Sequence, residues 1–257
     1  MSDAAIVLEE VGLSRGGRTI LAGLSARIPA GRATAVVGPS GAGKSTLLAV
    51  VAGFEPPDAG TVTSTVPPGR TGVVLQAYGL IRLLTAAENV ELALQPTGLA
   101  PEEVQARAAA QLARFGLERL ADRRTDELSG GQQQRLAIAR ALVIEPDLLI
   151  ADELTSELDP RNREHILDEV LGLRASGTTV LIATHDAAVA ARCDHVVQVG
   201  PTAAAADPDA RTAASDAAVD EQRRRIRAQQ ELVRREQARL DDLRAALQRL
   251  LDRRGEH

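Results

Sequence analysis

A glycine-rich run, Gly38-Pro39-Ser40-Gly41-Ala42-Gly43-Lys44-Ser45-Thr46, constrains this chain more than any other segment. It fits G-x-x-x-x-G-K-[ST], a loop whose backbone N–H groups converge on phosphate oxygens. Such a loop works between a buried strand and a helix, because the positive end of the helix completes the anion site. Ala33-Thr34-Ala35-Val36-Val37 reads as that strand and Leu47-Leu48-Ala49-Val50-Val51-Ala52 as that helix. Of thirty basic residues, Lys44 is the one lysine and the other twenty-nine are arginine. A compact ammonium on a flexible stem does here what a planar guanidinium does not. Lys44 is expected to reach the β- and γ-phosphates, and the Ser45 hydroxyl to ligate Mg²⁺.

The rest of the chain reads as the frame that such a loop needs. Residues 5–28 alternate apolar and polar around turn signals at Gly16-Gly17 and Pro29-Ala30-Gly31, which predicts antiparallel strands. Two more short strands are expected in 60–76, split by Pro67-Pro68-Gly69. Residues 85–121 read as helical with a break between Pro96 and Pro101, and 129–144 as a further helix with Ser129 as N-cap. Beyond it, strands at 148–151, 179–183 and 196–199 alternate with helices at 160–174 and 187–191. That alternation implies a parallel sheet covered by helices. The helical stretch 85–144 is too long for one crossover and is expected to be an inserted subdomain. Aromatic residues make up 1% of the chain, so Leu, Val, Ile and Ala must build the core.

Composition narrows the function classes. The first residues, Met1-Ser2-Asp3, carry no basic region or signal-type apolar run, and no stretch approaches the roughly 20 apolar residues of a bilayer span. A membrane role is therefore expected to need a separate partner chain. The single cysteine, Cys193, leaves no internal disulfide and reads as a small hydrophobe beside a strand. A net charge of −5 argues against general nucleic-acid binding.

The chain is expected to divide into a domain at 1–200, an Ala/Pro/Asp-rich linker at 201–214 and a C-terminal helix at 215–257. In that last segment Val219, Ile226, Val233, Leu240 and Leu247 recur every seven residues. Leu243 and Leu250 fill the position three further on, where Gln222, Gln229 and Glu236 stand earlier. This is a heptad seam, polar in its first half and apolar in its second. It predicts a coiled-coil helix that pairs with its twin or with a partner helix.

Four further motifs bear on chemistry. Gln76 ends the strand Gly72-Val73-Val74-Leu75, where an amide can touch both a metal and an attacking water. Leu128-Ser129-Gly130-Gly131-Gln132 opens a helix, so Ser129 and the glycine N–H groups form an anion site. Asp147-Leu148-Leu149-Ile150-Ala151-Asp152-Glu153 is a buried strand ending in two carboxylates, at the sheet edge where ligands bind. Asp152 is expected to hold Mg²⁺ and Glu153 to act as general base on the hydrolytic water. His185 follows the next strand at the same edge, within reach of the γ-phosphate.

Together these motifs resemble the ATPase subunits of ATP-binding cassette (ABC) transporters over roughly residues 5–200. The phosphate loop, Gln76, the Leu-Ser-Gly-Gly-Gln signature, Asp152-Glu153, Ser156-Glu157-Leu158-Asp159 and His185 stand in the family's order. The run from Gln76 through Leu84-Thr85-Ala86-Ala87-Glu88-Asn89-Val90 resembles the subgroup serving lipoprotein release, macrolide efflux and cell division. The resemblance implies an α/β phosphate-loop fold with an antiparallel β subdomain and an inserted helical subdomain. It implies ATP and Mg²⁺ as ligands, and two subunits paired head to tail. Each ATP would lie between Gly38–Thr46 of one subunit and Ser129, Gly130, Gly131 and Gln132 of the other, with the turn at Asp159 meeting the partner.

The sequence departs from the family pattern at three places. An aromatic that stacks on adenine is replaced by Arg15, which would stack a guanidinium instead. The residue after Glu153 is Leu154 rather than proline. Gly200-Pro201 stands where an Asp-Gly turn is common. The implied function is an ATPase that energises a separate membrane permease, peripheral on the inner face of the cell membrane. Tyr78, Leu80, Ile81 and Leu84 would line the groove that receives the permease. One alternative is the same chemistry transmitting force to cell-wall or division machinery without transport. A weaker one is a soluble repair-type ATPase, suggested by the arginine-rich tail.

Overall fold

The computed structural model describes residues 4–75, 78–154 and 160–200. Gln76, the segment 155–159, the linker and the heptad helix lie outside the described residues. A three-stranded antiparallel sheet is ordered β2-β1-β4, from β1 (Ala4–Arg15), β2 (Arg18–Pro29) and β4 (Ala59–Ser64). The β1–β2 hairpin turns at Gly16 and Gly17, both with positive φ, a conformation glycine adopts without a Cβ penalty. A second sheet is ordered β5-β6-β7-β3-β8. Its strands are β3 (Ala33–Val37), β5 (Thr71–Val74), β6 (Leu148–Asp152), β7 (Thr179–Ala183) and β8 (His195–Gln198), and every pairing in it is parallel.

Strands β6 and β7 are buried at every position, as expected of a parallel sheet covered on both faces. One face packs on α1 (Lys44–Val51) and the antiparallel sheet, in a cluster that includes Leu47, Leu48, Ile150 and Leu181. The other face packs on α4 (Gly130–Leu142) and α5 (Pro160–Gly172), through Leu136, Ile138, Ile166, Leu149 and Ile182. The helix after the phosphate loop begins at Lys44, three residues before its apolar run, because the Gly43 carbonyl accepts its first bond, from the Leu47 N–H at 2.8 Å. The helix predicted over 160–174 ends at Gly172 and tightens into a 3-10 turn over Leu173–Ser176.

Helices α2 (Ala86–Leu94), α3 (Pro101–Arg114) and α4 pack on one another between β5 and β6. Their hub is polar. Asn89 is fully buried, accepts from the Ile81 N–H at 2.9 Å and donates to Ile81 O at 3.0 Å, Thr85 O at 3.0 Å and Thr125 Oγ1 at 2.9 Å. Thr125 Oγ1 in turn donates to Leu84 O at 3.0 Å. One side chain thus fixes the irregular segment 81–85 onto the approach to α4. Removing it strands several buried backbone groups, each costing its desolvation. Asn89→Ala should lower stability by about 3 kcal/mol in urea unfolding. A loss below about 1 kcal/mol would show that water replaces the amide.

Candidate functional site

The carboxyl edge of the parallel sheet collects the chemistry. From it emerge the phosphate loop after β3, Asp152 and Glu153 at the end of β6, and His185 two residues beyond β7. Strand β7 lies between β3 and β6, so the carboxylates meet the loop across the end of β7. Close packing dictates the loop's glycines. A Cβ at Gly38 would stand 2.2 Å from Val199 O, and one at Gly43 would stand 3.0 Å from Ile20 Cγ2. Gly41 and Gly43 have φ of 76° and 95°, in the left-handed region that glycine tolerates. No side chain caps α1 and no acidic residue stands in its first turn, so its N–H groups remain available to an anion.

Lys44 is almost wholly buried, and its Nζ donates to Gly38 O at 2.9 Å and Pro39 O at 3.0 Å. The ammonium is folded back over the loop it belongs to, into the concavity that phosphate oxygens would fill. Asp152 is buried, and that burial raises its carboxyl above the ordinary carboxylate range. A hydrogen bond with Ser45 opposes the rise, the neighbouring Glu153 charge adds to it and Lys44 opposes it. A carboxylate held in a costly ionised state beside a hydroxyl on α1 fits a hard divalent cation, for which oxygen donors are the natural ligands. Ser45 and Asp152 would hold Mg²⁺, which would neutralise charge on the phosphates.

The same desolvation makes a stability prediction. A carboxyl whose pKa is raised on folding imposes a penalty at neutral pH that disappears below its unfolded pKa. Asp152→Asn should therefore raise the melting temperature of nucleotide-free protein at pH 7. The difference between variant and parent should shrink as pH falls through the raised pKa. A variant that melts below the parent at pH 7 would show that the Ser45 bond outweighs burial.

Glu153 adopts φ +53°, a left-handed conformation that costs a non-glycine residue of order 1–2 kcal/mol. Its N–H donates to Ala183 O at 3.0 Å, which carries the β6–β7 ladder one residue past the strand. The carboxylate Oε1 lies 3.0 Å from Nδ1 of His185. The contact fixes the carboxylate's orientation, which a positioned proton acceptor would require. His185 is largely exposed and Glu153 mostly covered.

The signature residues stand elsewhere, at the start of α4. Ser129 Oγ accepts from Gln132 N at 3.4 Å, while Gln132 Oε1 accepts from Ser129 N at 2.9 Å. Ser129 is exposed and Gly130 and Gly131 are half-buried, so this end of α4 is open to a ligand from outside the subunit. Lys44, Ser45, Asp152, Glu153 and His185 form one cluster, and Ser129, Gly130, Gly131 and Gln132 form a second. Arg15 forms an ion pair with Glu55, which occupies the guanidinium expected to meet adenine.

Two residues at the site were not anticipated. Arg140 at the end of α4 donates to Gly79 O at 2.5 Å and Tyr78 O at 2.9 Å, holding the loop that follows Gln76. Gln134 is buried and donates to Leu154 O at 2.5 Å. A usable signal lay in the helix period: Gln134 stands four residues before Ile138, on the apolar face of α4.

Residues 21–156 match the family model described as ABC transporter. The chain is 43% identical over 194 residues to the taurine import ATP-binding protein TauB of Pseudomonas aeruginosa, covering 72% of this chain and 74% of that one. It is 39% identical over 218 residues to the lipoprotein-releasing system ATP-binding protein LolD of Gluconobacter oxydans, covering 77% and 94%. The methionine import ATP-binding protein MetN of Caulobacter vibrioides is 41% identical over 198 residues, but the match spans 60% of its length. Among solved structures, the dimeric MJ0796 ABC transporter cassette superposes with a TM-score of 0.71 at 34% identity, covering 76% of this chain and 94% of that one. The same cassette in a post-hydrolysis state bound to ADP and Pi gives 0.70. With its phosphate loop, paired carboxylates and signature helix arranged as described, the chain belongs to the ABC transporter family as one of its ATPase domains.

Proposed function

We propose that this ATPase works as one of two subunits closed around two ATP molecules, energising a separate membrane permease. Its relatives include import ATP-binding proteins as well as lipoprotein-releasing ones, and the run from Gln76 to Val90 favours the lipoprotein-release and macrolide-export branch for this chain. The open signature cluster supports the dimer. Ser129 is exposed and its glycines half-buried on an element distinct from the phosphate loop, so a partner's ATP would complete each site. Within a site, the loop and Lys44 would grip the phosphates. Glu153 would take the proton of the attacking water at its carboxylate, and His185 would hold that carboxylate in place.

The observation that carries the permease reading is a set of exposed apolar side chains on the segment that follows β5. Leu75, Ile81 and Leu83 are exposed by 41%, 43% and 37%, while Tyr78 and Leu80 lean into the core. Large apolar side chains exposed close together in the chain suit a protein contact. These residues stand on either side of Gln76 in the chain, so an occupant would act on the stretch that carries that amide. No helix among the described residues is long and apolar enough to cross a membrane. Docked on a permease, the ATPase would sit peripherally on the inner face of the cell membrane, with the heptad tail pairing to its twin or to a partner helix. The cell-division reading shares this chemistry and differs in what the partner moves.

The test is affinity purification of the native complex. The Ile81→Asp/Leu83→Asp double variant should lose its membrane partner while keeping basal hydrolysis within about twofold of the parent, because neither residue contacts the phosphate site. A complex that purifies intact and remains stimulated would place the docking surface elsewhere.

A further inference from the structure

We propose that Gln134 is a positioning residue for Glu153, through which helix α4 sets the geometry of the base on its own subunit. This rests on the reading of Glu153 as general base.

Gln134 is 1% exposed, and its Nε2 donates to Leu154 O at 2.5 Å. That contact fixes the amide's orientation, because a carbonyl accepts only from the NH₂ end. The other end, Oε1, is buried and has no hydrogen-bond partner among the described residues. An amide half-satisfied in a core is a poor choice for stability, and an apolar side chain of similar volume would avoid the cost. Its one directed bond lands on the residue that follows Glu153.

Glu153 needs such restraint, since its left-handed backbone is disfavoured for a residue with a Cβ. Contacts among the described residues bracket it. On one side its own N–H is held by Ala183 O at 3.0 Å. Its carboxylate meets His185 at 3.0 Å. On the other side Leu154 is anchored by its buried side chain and by Gln134. The first two contacts come from β7 and the segment after it, and the third comes from α4. Gln134 stands five residues after Ser129 on that same helix, whose first turn is the open signature cluster. A shift or rotation of α4 when Ser129 gains a ligand would carry the Gln134 donor with it. The base of one site would thereby register occupancy at the signature of the same subunit, which serves the other site of the dimer.

The test uses purified full-length protein carrying Gln134→Met, which keeps length and volume but removes the donor. Gln134→Glu is the second variant, keeping the shape and replacing the NH₂ with an acceptor. Both should lower kcat at least about 30-fold while ATP affinity stays within about twofold, the pattern of a group acting only on the reacting geometry. The Hill coefficient for ATP should fall toward one, since the link between signature and base is cut. Ile138→Val, on the same buried face, should lower the melting temperature and leave kcat and the Hill coefficient alone. The proposal is overturned if Gln134→Met keeps kcat within about threefold of the parent. It is equally overturned if Ile138→Val reproduces the loss in proportion to its melting temperature. Full hydrolysis by Glu153→Gln in the same assay would instead remove the base assignment itself.

Discussion

Glu153→Gln should reduce ATP hydrolysis by about 10²–10⁴-fold, the range expected when a positioned general base is lost. The amide keeps the size and planarity of the carboxyl group, so the left-handed turn at 153 and the Ala183 hydrogen bond should persist. It can still hydrogen-bond Nδ1 of His185, because the imidazole tautomer adapts. What it cannot do is accept the proton of an attacking water. Nucleotide affinity should hold, since the phosphates would be gripped by the loop, Lys44 and the first turn of α1. A subunit that binds ATP and cannot discharge it should accumulate as a nucleotide-stabilised dimer. Phosphate release measures the first effect and sedimentation with and without MgATP the second. Hydrolysis within about threefold of the parent would remove Glu153 as the base.

Much of this arrangement was legible in the chain, and the reason differs by element. The parallel strands announce themselves as short continuous apolar runs, because both faces of a covered parallel sheet are buried. Leu148-Leu149-Ile150-Ala151 and Thr179-Val180-Leu181-Ile182-Ala183 sit where they were expected. The phosphate loop was legible because its glycines stand at a fixed local spacing, where the backbone takes positive φ at Gly41 and Gly43. Ser129 was legible as a cap because capping is a local interaction within one turn.

What escaped was everything set by contacts distant along the chain. Asn89 looks from its neighbours like an ordinary polar residue of a helix face. Its role as a hub depends on Thr125, thirty-six residues away, and on the irregular backbone at 81–85. The positive φ of Glu153 follows from how β6 leaves the sheet beside β7, and no local propensity encodes it. Arg15 was read for its flat guanidinium and the base it could stack on. Its ion pair with Glu55 comes from the hairpin and the segment after α1 meeting in space. A guanidinium already facing a carboxylate is a different partner for an adenine than a free one.

Lys44→Ala should fail at an earlier step than Glu153→Gln, and the contrast separates binding from turnover. Lys44 Nζ now rests on two backbone carbonyls, Gly38 O and Pro39 O. Phosphate oxygens carry formal charge and form stronger charge-assisted bonds than carbonyls do, so the ammonium gains by turning to them. Each such bond contributes about 1.5–3 kcal/mol, which corresponds to roughly 10–150-fold in affinity. Equilibrium titration with ATP should therefore show at least about a tenfold weaker dissociation constant for Lys44→Ala. Melting of the nucleotide-free protein should change little, because the two carbonyls lie at a loop that water can reach. Lys44→Arg provides the finer test. It keeps the charge and replaces the compact ammonium with a longer, planar fork that must fit a pocket closed by Gly38 and Pro39. If charge alone mattered, Lys44→Arg would bind ATP as the parent does. If shape matters as well, it should bind as poorly as Lys44→Ala, which would explain why a chain otherwise built on arginine keeps a lysine at this position. Undiminished affinity in Lys44→Ala would contradict the role given to Lys44 and leave the phosphates to the loop's backbone N–H groups.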